Sequence, residues 1–141
     1  MTLIDVYDEL EEKGIRHYSG VYGFDGGADA ATVEARGSHA IFFDIAAIRT
    51  ERQEIATAIH ELAHIEAGAT IPIGASAWEV FKAERKATRY EILRLLPFDE
   101  LRRVTRSGEC RNNYEIAERF DVPEQLVAES LKFYDNRGEK W

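Results

Sequence analysis

Thr50-Glu51-Arg52-Gln53-Glu54-Ile55-Ala56-Thr57-Ala58-Ile59-His60-Glu61-Leu62-Ala63-His64-Ile65-Glu66-Ala67-Gly68 decides how this chain is read. Thr50 with Gln53 three residues on is a helix-opening capping signature, and Gly68 is a natural helix stop. Between them Ile55, Ile59 and Leu62 form one apolar stripe at helical spacing. Residues four apart share a helix face, so His60 and His64 can address one metal ion. Glu61 sits beside them. Two imidazoles at that spacing with an adjacent carboxylate are the donor pair and general base of zinc-assisted hydrolysis.

Working outward, Thr2-Leu3-Ile4-Asp5 opens a short N-terminal helix with Leu3, Val6, Tyr7 and Leu10 as its apolar face, ending near Gly14. Three strands are predicted at Ile15 to Tyr22, Ala31 to Ala35 and Ala40 to Asp44, with turns at Gly26-Gly27 and at Arg36-Gly37-Ser38-His39. They make a small, antiparallel sheet. Beyond the motif helix, Ala69 to Ala75 reads as a loop. Ser76-Ala77-Trp78-Glu79 is another capping box, and the helix it opens runs to Leu96, where Pro97 stops it. Short helices follow at Asp99 to Arg106, at Asn113 to Phe120, and from Pro123 to Tyr134. Residues 136–141 are expected to fray. The fold class is α+β: about three strands packed on a helical core.

Size and charge bound the rest. The chain has 141 residues, 45% of them hydrophobic, and is read as one domain, 1–141, with residues 112–135 as a small helix-turn-helix-like appendage. Its one cysteine, Cys110, forms no intramolecular disulfide and suits a reducing, cytoplasmic setting. No apolar run reaches membrane-span length, so no membrane partner is expected. A net charge of −8 argues against non-specific nucleic-acid binding, although Arg85 to Arg111 is locally basic. The tail helix pair has the outline of a DNA-binding helix-turn-helix. Its second helix, however, opens with Glu124 and Glu129 where bases should meet phosphates.

A catalytic zinc takes three protein ligands and keeps one position open. The third is sought among His17, His39, Glu84 and Glu91. Glu79 is already engaged as the partner of Ser76. Glu84 stands out because Ala83, Ala87, Val80 and Phe81 surround it with apolar neighbours, and a carboxylate there calls for a partner or a metal. Glu91, two turns on, is the next choice.

At this point the residues resemble the ImmA/IrrE family of zinc metallopeptidases, which is common in phages and other mobile elements. That family pairs the His-Glu-x-x-His helix with a later Glu-x-x-Ala-Asn/Asp helix. Here the corresponding stretch is Glu84-Arg85-Lys86-Ala87-Thr88, followed by Leu95-Leu96-Pro97-Phe98-Asp99-Glu100-Leu101. The tail, Glu115 to Val122, is also similar. The resemblance runs from about Ala40 to Tyr134. It implies a zincin-like core of the gluzincin type, with one Zn2+ per chain held by His60, His64 and Glu84. Glu61 then serves as the general base of a metallo-endopeptidase. The implied partner is a protein or peptide substrate, such as a helix-turn-helix repressor of a mobile element. Thr88 departs from the Asn or Asp usual in the family, and Ala63 from a frequent Gly. Two other functions are compatible with the same residues: a zinc-holding, non-cleaving regulator that binds a protein, and a DNA-binding module. An oxyanion donor is expected among Tyr18, Tyr22, Tyr90, Tyr114 and His17. The strand Ala40 to Asp44 is expected to offer an edge to an extended peptide.

Overall fold

The computed structural model describes residues 1–141 and shows an α+β protein of six helices and one three-stranded sheet. The chain divides into two compact units, Met1–Thr88 and Arg89–Trp141. No helix is long and apolar enough to cross a membrane.

The first unit begins with α1 (Leu3–Glu12), whose capping box closes as expected: Asp5 N donates to Thr2 Oγ1, and Thr2 N to Asp5 Oδ2. Strands β1 (Arg16–Gly20), β2 (Ala30–Ala35) and β3 (Ser38–Asp44) follow. Helices α2 (Glu51–Glu66) and α3 (Ala77–Leu95) complete the site-bearing elements. Val6 and Leu10 of α1, Ile41 and Phe43 of β3, and Ile59 and Leu62 of α2 are all fully buried. Tyr7 on α1 donates a hydrogen bond to Glu54 on α2, and Lys13 pairs with Glu66 at 2.7 Å. These links tie the N-terminal helix along the motif helix.

The sheet is mixed rather than antiparallel, in the order β1-β3-β2. β2 and β3 form a hairpin closed by Arg36 (φ 53°) and Gly37 (φ 77°). Left-handed geometry at both turn residues is that of a type I′ turn, whose twist matches that of the flanking strands. β1 is separated from β2 by residues 21–29. It takes the other flank of β3, in parallel register. β3 is therefore the central strand and presents no free edge. The open edges are β1 and β2, which corrects the expectation for Ala40 to Asp44.

The second unit contains the end of α3 with α4 (Phe98–Arg106), α5 (Asn113–Phe120) and α6 (Glu124–Asn136). Asn112 caps α5, and Asp121 ends it in the left-handed region. Ile92, Leu96, Leu101, Val104, Ile116, Val127 and Tyr134 form one apolar core. Tyr134 Oη donates to the Leu96 carbonyl at 2.8 Å, so its buried hydroxyl is satisfied. The tail pair α5–α6 thus spends its apolar faces on this core. Within residues 136–141, expected to fray, the Trp141 ring packs edge-on against Phe98 at 5.0 Å, and its Nε1 donates to Asp135.

Candidate metal centre

The site lies within the first unit and is built by α2 and the start of α3. Thr50 caps α2 by accepting from Gln53 N at 3.1 Å, while Gln53 Oε1 accepts from Arg49 N. The helix then runs without interruption through His60 and His64. Ser76 caps α3, with Glu79 N donating to Ser76 Oγ at 3.2 Å, which accounts for Glu79 locally. That start point puts Glu84 opposite the two histidines.

Three side chains converge. His60 Nε2 lies 2.9 Å from Glu84 Oε2, and His64 Nε2 lies 3.4 Å from Glu84 Oε1. One ligand atom from each residue falls within 4.8 Å of the others. Tetrahedral zinc with bonds of about 2.0–2.2 Å needs ligand atoms roughly 3.3–3.6 Å apart, so small side-chain adjustments would make this spacing fit zinc. Two imidazoles and one carboxylate also form a normal catalytic zinc donor set. His64 is 4% exposed, whereas the Glu84 side chain is 45% exposed, so the site opens to solvent on the α3 side.

The electrostatics follow from the contacts. Hydrogen bonds from His60 and then His64 hold the Glu84 carboxyl well below the usual carboxylate range, outweighing its partial desolvation. For His64, burial disfavours the charged ring. The Glu84 contact, the Ala69 carbonyl and nearby Glu61 together outweigh that and raise its pKa above the ordinary value.

Glu61 faces inward and is 8% exposed. Its Oε2 accepts a hydrogen bond from Thr32 Oγ1 on β2. A carboxylate buried on a helix is thereby fixed from the sheet and left with one oxygen uncommitted to Thr32. The other histidines lie elsewhere: His17 pairs with Glu11 at 3.7 Å and packs on Tyr7, and His39 pairs with Glu34 at 3.7 Å. Glu91 is buried in the second unit. Of the tyrosines weighed as oxyanion donors, Tyr18 stacks on Phe42 and Tyr22 on Phe24.

Two contributors escaped the sequence reading. Thr32 lies 29 positions before Glu61, and no local pattern links a strand threonine to a helix glutamate. The second is the backbone carbonyl of Ala69, which lies 2.8 Å from His64 Nδ1. An outer support of that imidazole thus comes from the main chain. Comparison with protein-family models, with curated proteins and with solved structures finds no match to this chain.

Proposed function

We propose that this protein is a zinc-dependent metallo-endopeptidase. The observation that carries the reading is the convergence of His60, His64 and Glu84 beside a buried Glu61 that is itself oriented by Thr32. His60, His64 and Glu84 would hold the metal. When bound, zinc supplies a Lewis acid that polarises a peptide carbonyl and makes water more acidic. Glu61 accepts the proton of the attacking water at the oxygen not engaged by Thr32, then returns it to the leaving amine nitrogen. His64 stays oriented by the Ala69 carbonyl throughout.

An extended peptide has a place to lie. Strand hydrogen bonds alternate in direction along an antiparallel pair. The two-residue turn makes Ala35 and Ser38 a bonded pair, so Ala30, Thr32 and Glu34 turn their backbone groups to the free flank of β2. That flank runs past Thr32, which touches Glu61. Main-chain pairing there would set a substrate strand beside the general base. The resemblance to the ImmA/IrrE family adds a substrate class: a regulatory protein, such as a helix-turn-helix repressor of a mobile element.

The reading is tested by incubating zinc-loaded protein with a mixed library of unmodified decapeptides and following cleavage by mass spectrometry. Cleavage should stop with a zinc chelator and return with added zinc. Zinc binding without any cleavage would favour the non-cleaving regulator instead. Thr32→Val keeps the side-chain volume and removes the donor to Glu61. It is expected to lower kcat about 10-fold or more, the usual cost of losing an outer support, while leaving zinc content unchanged, because its partner Glu61 is not one of the three ligands. Wild-type kcat in that variant would show that Glu61 needs no such orientation.

A further inference from the structure

We propose that the C-terminal cap of α2 is a positioning device for His64, with Gly68 as its essential residue. This rests on the metal reading above. Helix α2 ends in a two-bond cap: Ala69 N donates to the His64 carbonyl at 2.8 Å, and Gly68 N donates to the Ile65 carbonyl at 3.2 Å. Gly68 has φ +62°, the left-handed conformation this cap requires. The cap turns the chain back so that the Ala69 carbonyl meets His64 Nδ1 at 2.8 Å.

A carbonyl oxygen can only accept, so His64 Nδ1 carries the proton of that bond. In the neutral ring Nε2 then holds the lone pair, and Nε2 is the atom that faces Glu84. A neutral imidazole left in water samples both tautomers. Here the hydrogen bond at one nitrogen selects the ligating state of the other. The ring is buried, so water does not readily replace the carbonyl. The next residue is fastened as well: Thr70 Oγ1 donates to Glu34 Oε2 at 3.3 Å, on the same strand as Thr32. β2 therefore steadies both Glu61 and the segment that orients His64.

Gly68 offers a clean test. A Cβ at this position meets nothing within 4 Å, so substitution perturbs the backbone conformation without a clash. Gly108 is the matched control: it has φ +77°, equally open space, and a place in the other unit. Gly68→Ala, Gly68→Asn, Gly108→Ala and wild type are compared by zinc affinity, thermal unfolding and ring 15N NMR of His64 in chelator-treated protein above neutral pH. Asn tolerates the left-handed region and should preserve the cap.

Gly68→Ala is expected to weaken zinc about 10-fold and to reduce the Nδ1–H tautomer of His64. Gly68→Asn should restore both. Gly108→Ala should lower Tm without moving zinc affinity. Wild-type zinc affinity in Gly68→Ala would overturn the inference alone, as would an Nε2–H tautomer at His64 in wild type. Failure of wild type to bind zinc would overturn the metal reading and this inference with it.

Discussion

Glu61→Gln is expected to slow hydrolysis by about two to four orders of magnitude while leaving zinc in place. Glutamine matches glutamate in shape, and its amide oxygen still accepts from Thr32 Oγ1, so the buried position is not disrupted. The substitution does remove the basic oxygen that, in the proposed mechanism, takes the proton from water. General bases of this kind contribute about 10²–10⁴-fold, so kcat should fall by that factor with little change in peptide affinity. The measurement is single-turnover cleavage of a peptide drawn from the library experiment, beside metal analysis of the same sample. A variant that cleaves at the wild-type rate would remove Glu61 from the mechanism, whatever the metal content.

Glu84→Ala should act one step earlier, on metal retention. Wild type dialysed against a weak chelator is expected to keep about one zinc per chain, the complement of a three-ligand site. With Glu84 removed, only His60 and His64 remain, four residues apart on one helix, and retention should fall to near zero. The position is half-exposed on α3, and alanine is a good helix former, so the fold itself should survive. Far-ultraviolet circular dichroism of the variant checks that point. Equal zinc in variant and wild type would reject Glu84 as a ligand.

How much of this was readable in advance depends on distance along the chain. The caps at Thr2, Thr50 and Ser76 are local patterns, and all three helices begin where those residues put them. His60 and His64 follow from helical period alone. Glu84 needed more: an argument about a carboxylate among apolar neighbours, and then a resemblance. The parallel pairing of β1 with β3 was not readable, because it depends on β2 capturing the opposite flank of β3 through the Arg36-Gly37 turn. Thr32 and the Ala69 carbonyl were invisible for a related reason. One is joined to the site across the sheet–helix contact, and the other is a backbone atom whose direction is set by the dihedral angles of Gly68. The packing of the Trp141 ring on Phe98 and Tyr134 was not readable either, because those partners lie on helices α4 and α6.

The open flank of β2 has a cost for the molecule in concentrated solution. A strand with unpaired backbone groups pairs as readily with a second copy of itself as with any guest, and such pairing is the first step toward aggregation. Two features oppose it here. Glu34 places a carboxylate on that strand, and the net charge of −8 makes copies repel one another. Both are carboxylate effects, so acidification toward neutral net charge weakens them together, and added salt screens what remains. The strand proposed as the substrate's approach is thus also an edge that has to be kept from pairing with other copies.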